Sequence, residues 1–198
     1  MQNLTKRQNE IINSSIELIA ESGIQNLTIK HLSEKLGISE PAIYRHYKSK
    51  LDILLAILGY FEDDTNLMFN NIYNSEQSNI NKLKSIFIQR CKEFSERPEL
   101  AKVIFSEEIF QNDEKLRDKV SSIMKVHHVI IHKIIEEAQQ SNEIRNDIPK
   151  EHVAPIIVGT LRLLVTRWRL NNFEFDINQQ AKELWNTLEK LIIKENQV

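Results

Sequence analysis

The sequence predicts an all-α protein of about nine helices, a small N-terminal helical module followed by a larger helical part. Three observations support this. Apolar residues recur at spacings of three and four along most of the chain, and no segment alternates apolar and polar residues over strand length. Only 4 Gly and 4 Pro occur in 198 residues, most of them at places where a helix would start or stop. Near residue 37, two short helical segments are separated by a glycine turn, the spacing of a helix-turn-helix.

The first helix spans Leu4 to Ser22, with Ile11, Ile12, Ile16, Leu18 and Ile19 at helical spacing and Gly23 as its stop. Thr28 is placed to cap a second helix whose Ile29, Leu32 and Leu36 share one face, and Gly37 ends it. Ser39 then stands at the N-cap of a short third helix. Pro41 is tolerated there because the first turn needs no intrahelical N–H donor. The third helix occupies the position of a major-groove reader. Ser49 caps a long fourth helix through SKLDILLAILGYF.

Beyond residue 75 the pattern predicts amphipathic helices over NINKLKSIFIQRCKEF, PELAKVIFSEEIF and DEKLRDKVSSIMKVHHVIIHKIIEEAQQ. After the break SNEIRNDIP come KEHVAPIIVGTLRLLVTRWRL and INQQAKELWNTLEKLIIKE. Pro155 is expected to kink the first of these or to mark its true start.

Composition narrows the function classes. With 41% hydrophobic and 27% charged residues the chain is built to fold. Its apolar runs fall far short of the roughly 20 residues that span a bilayer. No secretory pattern opens the chain, and the single cysteine, Cys91, fits a reducing compartment, so a cytoplasmic location without membrane partners is expected. The net charge of -2 argues against a protein that coats nucleic acid with its whole surface. Charge is unevenly placed, however: residues 41–50 hold Arg45, Lys48 and Lys50 and no acid.

In order of parts, residues 5–60 resemble the DNA-binding domain of the TetR family of bacterial transcription regulators. The resemblance rests on Glu21-Ser22-Gly23 closing the first helix, Leu27-Thr28-Ile29, Leu32-Ser33 and Leu36-Gly37-Ile38-Ser39. Ile43-Tyr44-Arg45-His46-Tyr47-Lys48-Ser49-Lys50 and Leu54 complete it. Ser14-Ser15 and Ser33 stand where alanines are usual, and Tyr47 where phenylalanine is commoner. These are small changes within the packing of the module. The resemblance implies a homodimer, a double-stranded operator of two half-sites, a C-terminal domain whose small-molecule effector weakens operator binding, no catalysis and no cofactor. Residues 1–50 would be the DNA-binding domain, helix 4 a linker from about 50 to 74, and 75–198 the effector-binding and dimerisation domain.

The chemistry at these positions agrees with that reading. Glu40-Pro41-Ala42 makes a slim reader end, with Pro41 and Ala42 offering apolar contact to a thymine methyl. Glu40 either accepts from a cytosine amino group or serves the helix N-terminus. Thr28, Tyr44, His46, Lys48 and Lys50 match family positions that grip phosphate, and backbone N–H groups near Lys50 add an anion site. Lys30 is the candidate for reaching a base edge from the second helix, and Arg45 for guanine or phosphate. Ser39 and Tyr47 lie within the same face, while Ile38 and Ile43 belong to the core.

For the effector pocket the candidates are Phe87, Arg90, Cys91, Phe94, Phe105, Phe110, His128 and Ile131, an apolar set with a few polar groups. For the dimer interface they are Leu161, Leu164, Val165 and Trp168 with Leu184, Trp185 and Leu188, a stripe on each of the last two helices. His127, His128 and His132 form HHVIIH. Two histidines one turn apart can share a metal, yet Val129 follows His128 where a zinc-protease pattern needs Glu, and no third ligand is evident. An enzyme using that cluster and an architectural DNA binder without effector are the competing readings. The sequence lacks any nucleophile elbow or phosphate loop, and its large acidic C-terminal part does not suit an architectural protein.

Overall fold

A computed structural model describes residues 4–106 and 113–193. Among them are nine α-helices: α1 Lys6–Ser22, α2 Ile29–Leu36, α3 Glu40–Tyr44, α4 Lys50–Tyr73, α5 Asn79–Glu96, α6 Pro98–Ile104, α7 Glu114–Gln140, α8 Lys150–Leu170 and α9 Ile177–Ile192. A 3-10 turn, Ile24–Asn26, precedes α2. The only extended pairing among these residues is an isolated bridge between Ile144 and Ile193. None of the described helices is long and apolar enough to cross a membrane.

The chain forms two compact units, Met1–Thr65 with Glu99–Ile123, and Asn66–Pro98 with Met124–Val198. The first unit has a core of Ile11, Ile12, Ile16, Leu27, Leu32, Ile43, Ile53 and Ile57, all almost fully buried. Thr5 and Gln8 close a capping box on α1, each side chain accepting from the other residue's backbone N–H. Two of the three serines that stand for alanines, Ser15 and Ser33, bond back to their own helices. Ser15 Oγ donates to Ile11 O (2.7 Å) and Ser33 Oγ to Lys30 O (2.8 Å), so neither buried hydroxyl is left unmet.

In the second unit α5 packs against α9 and α8. Trp185 of α9 is fully buried, with its ring 5.6 Å from that of Phe87 on α5. Glu143, in the turn after α7, caps α5 from a distance: its carboxylate accepts from Ile80 N (3.0 Å) and Asn79 Nδ2 (3.1 Å). This distant cap takes the place of a local one, since the Ser78 side chain makes none. Pro155 does not mark the start of α8, which begins five residues earlier at Lys150 and runs through the proline.

Candidate nucleic-acid interface

The turn between α2 and α3 is fixed by a glycine in the left-handed conformation. Gly37 has φ 64° and ψ 33°, its N–H donates to Glu34 O, and Ile38 N donates to Ser33 O (3.1 Å). These paired bonds end α2 and redirect the chain into α3 two residues later. Thr28 caps α2 as the sequence implies, its hydroxyl accepting from His31 N (3.1 Å). Ser39 occupies the N-cap position of α3 but its side chain makes no capping bond; Ala42 N donates instead to the Ser39 carbonyl (2.9 Å). Ser49 caps α4 by accepting from Asp52 N (3.2 Å), while Asp52 Oδ2 accepts from Lys48 N (3.0 Å).

With these anchors, α3 is held on the core by Ile43, which is fully buried, and shows its other faces to solvent. Thr28, Lys30, Ser39, Glu40, Pro41, Tyr44, Arg45 and Lys48 are exposed; Ala42, His46 and Lys50 are half-buried. Lys30, Arg45 and Lys48 form no ion pair with an acid among the described residues. Three cations without an acid partner thus lie on α2, at the C-terminal end of α3 and in the turn before α4, and the N-terminal end of α3 carries only the small side chains of Pro41 and Ala42. Glu40 stands in the first turn of α3, where a carboxylate favours the helix dipole.

Two expected positions are placed differently. Tyr47 is buried at 7% exposure, its hydroxyl meets no hydrogen-bond partner among the described residues, and burial pushes its phenol pKa up. It packs the module and presents nothing to a groove. Lys50 Nζ turns inward to donate to Ile24 O at 2.6 Å. The Asp52 carboxylate also sits at the start of α4, beside the backbone anion site expected there. Ile38 is half-buried, a lesser core contribution than Ile43.

The pocket candidates divide. Phe87, Arg90, Cys91 and Phe94 on α5 and Ile131 on α7 are buried within the second unit. Arg90 pairs with Glu93 and lies over the Phe94 ring, 4.6 Å from its centroid. Burial raises the Cys91 thiol to about 12, so it is no nucleophile at neutral pH. Phe105 belongs to the first unit, and Phe110 lies outside the described residues. His128 is exposed, which removes it from any interior pocket, and its Nε2 lies 2.7 Å from that of His132. Burial, then the neighbouring His128, lowers the His132 pKa. Among the described residues no group of three His, Cys, Asp or Glu side chains is arranged to hold a metal.

His127 is turned away from that pair. Its ring stacks on Phe69 of α4 with centroids 4.6 Å apart and an interplanar angle of 16°. Burial, reinforced by the Arg90 charge, lowers its pKa to about 4, so the imidazole is neutral at physiological pH.

The dimer candidates need correction. Leu164, Val165, Trp168, Trp185 and Leu188 are buried in the chain's own core, and Trp168 Nε1 donates to Phe175 O (2.9 Å). Leu161 and Leu184 are half-buried. The outward stripes lie beside the expected ones: Ile156, Thr160, Leu163, Arg167 and Leu170 on α8, and Gln180, Leu184, Thr187 and Leu191 on α9. Both have alternating steps of three and four. Leu163 is 60% and Leu191 58% exposed, and a groove of about 290 Å³ runs between the two helices.

Comparison with known proteins agrees with this geometry. Residues 11–57 match the model of the bacterial regulatory proteins of the tetR family, and residues 61–194 match that of the YsiA-like protein C-terminal region, also a TetR model. The chain belongs to the TetR family of transcriptional regulators. It is 24% identical over 170 residues to the fatty acid metabolism regulator protein of Bacillus subtilis, covering 85% of this chain and 86% of that one. It is 22% identical over 184 residues to the nucleoid occlusion factor SlmA of Vibrio cholerae, covering 92% and 93%. Among solved structures, the fatty acid degradation regulator FadR of Bacillus halodurans superposes with a TM-score of 0.83 at 19% identity, covering 95% of this chain and 97% of that one. The transcriptional regulator FadR of Bacillus subtilis, solved in complex with stearoyl-CoA, gives 0.78 at 23%, covering 91% and 96%.

Proposed function

We propose that this TetR-family regulator is a repressor that binds a pseudo-palindromic operator as a homodimer and leaves it when a small-molecule effector occupies its C-terminal domain. The carrying observation is the set of cations without an acid partner, Lys30, Arg45 and Lys48, on α2, at the C-terminal end of α3 and in the turn before α4. In this reading α3 enters the major groove and Pro41 and Ala42 approach base edges, with Lys30 reaching a neighbouring base. Thr28, Tyr44, His46 and Lys48 grip phosphate on either side. Lys50 steadies the start of α4 and contributes charge to the same face.

Residues 1–50 serve DNA binding, α4 the linkage, and 75–198 effector binding and dimerisation. The outward stripes of α8 and α9, with Leu163, Leu184 and Leu191, meet their copies across a twofold axis. Release is a population shift: the effector binds better to the arrangement whose two readers do not match the half-site spacing. Coupling runs through α4, which supplies residues to both compact units. The resemblance to regulators of fatty acid metabolism, one of them solved with stearoyl-CoA, makes acyl compounds the first effectors to try.

The test is gel retardation of the promoter DNA adjoining this protein's own gene, with an acyl-CoA series added to the complex. The reading predicts retardation of a two-half-site fragment by a dimer, and release by at least one member of the series. Retardation that no scrambled competitor and no effector distinguishes from non-specific binding would refute it.

A further inference from the structure

His128 and His132 stand one turn apart on the solvent side of α7, the first exposed and the second half-buried. Their Nε2 atoms lie 2.7 Å apart, with ring centroids at 3.9 Å and ring planes inclined by 53°. Two lone pairs do not face each other at that distance, so one ring donates its Nε2–H and the other accepts. The two imidazoles are thus already turned towards a common point at the protein surface.

A divalent cation can take the place of the proton they share. With metal–nitrogen bonds of about 2.0 Å, two neighbouring imidazole ligands stand about 2.9 Å apart at a right angle and about 3.3 Å apart at the tetrahedral angle. The observed 2.7 Å is nearer to the first, the geometry of tetragonal copper and nickel complexes. The donating ring passes to its Nδ1–H tautomer through solvent, so the pair takes up the ion without losing a net proton.

The surroundings suit a cation. Burial, then the neighbouring His128, keeps His132 below its usual pKa and therefore in the neutral form that ligates metals. The other charged groups in its field are Glu151, Lys150 and Glu136, two acids against one lysine. Lys150 is itself held by Glu136 at 2.9 Å. That pairing engages the carboxylate one turn beyond His132, in agreement with the absence of a three-residue cluster among the described residues. A tetragonal ion needs no third ligand from the chain, because water completes its coordination.

We propose that His128 and His132 form a two-imidazole site for a tetragonal divalent transition metal, Cu²⁺ ahead of Ni²⁺, with water in the remaining positions. The order follows the general preference of nitrogen sites, and Mg²⁺ is excluded because it demands oxygen ligands. The helix holds the second ring at a fixed distance from the first, so its ligation is intramolecular and either ring alone binds far more weakly. The site lies on an exposed helix face and is independent of the effector reading above.

Isothermal titration of the untagged full-length protein with CuCl₂, NiCl₂ and MgCl₂ tests it. One tight equivalent of Cu²⁺, a weaker one of Ni²⁺ and no measurable Mg²⁺ are expected. His128→Ala and His132→Ala should each weaken the copper equivalent by about tenfold or more. His152→Ala, which removes an exposed histidine of α8, should keep it. Electron paramagnetic resonance of the copper form should show two coupled imidazole nitrogens, reduced in number in either pair variant. Thermal melting separates ligation from a plain hydrogen bond between the rings: copper should raise the melting temperature of the unsubstituted protein and of His152→Ala, and not that of the pair variants. An undiminished copper equivalent in His128→Ala or His132→Ala, no tight equivalent in the unsubstituted protein, loss of the equivalent in His152→Ala, or equal affinity for Mg²⁺ would overturn the proposal.

Discussion

Lys50 Nζ, on the first residue of α4, donates a 2.6 Å hydrogen bond to the carbonyl of Ile24 in the 3-10 turn ahead of α2. The cation therefore ties the start of α4 to the chain that leads into the helix-turn-helix, and its role is structural before it is electrostatic. Lys50→Met should destabilise the protein by about 1.5 kcal/mol in urea denaturation, the usual worth of a hydrogen bond from a charged donor. A variant as stable as the original would show that the bond contributes nothing.

Lys48 is exposed and forms no ion pair among the described residues, so it is the cleaner probe of phosphate contact. Lys48→Ala should weaken binding to all DNA sequences alike and lower the slope of log K against log salt by about one. Lys30→Ala should instead change which half-sites bind, with the salt slope reporting any phosphate share. Salt titrations across a half-site library distinguish the two, and a Lys48→Ala variant with altered preference but an unchanged slope contradicts the assignment.

Gly37 holds φ 64°, and a Cβ there would meet nothing within 4 Å. The cost of Gly37→Ala is thus conformational alone, about 1 kcal/mol, measurable by chemical denaturation. A larger loss would mean that the turn also needs space.

His127 gives a pH dependence with a defined sign. Its folded pKa of about 4 lies below the ordinary 6.5, so between these values the unfolded chain binds the extra proton and stability falls as pH falls. Between pH 7 and pH 5 the loss is on the order of 2 kcal/mol, and above pH 7 it vanishes. His127→Phe should flatten the difference, and parallel profiles for the two proteins across that window would refute the burial argument.

Leu163→Asp should convert the proposed dimer to monomer in sedimentation equilibrium, because it charges the centre of the outward stripe of α8. Trp185→Phe, inside the chain's own core, should leave assembly intact. The opposite outcome would restore the tryptophan side of the helices as the interface.

The N-terminal module was legible from sequence because its signals are local. Thr28, Gly37 and Ser49 act within three residues of their own positions, and the structure shows each doing what its residue type implies. What escaped depends on distant partners. Glu143 caps α5 from 63 residues away, and Lys50 finds Ile24 rather than solvent. The stripes of α8 and α9 were recognised, yet on amphipathic helices with apolar residues on two sides, periodicity does not say which side faces the chain's own core. Leu163 and Trp168 both satisfy the pattern; only packing assigns one outward and the other inward.

In the proposed complex the paired α3 helices of a dimer read two symmetric half-sites. Sequencing the DNA retained by the full-length protein from a pool of random duplexes tests it most directly. Enrichment of an inverted repeat is expected, with half-sites that change when Lys30 or Ala42 is substituted; enrichment of no motif, or of one without twofold symmetry, would refute paired reading by α3.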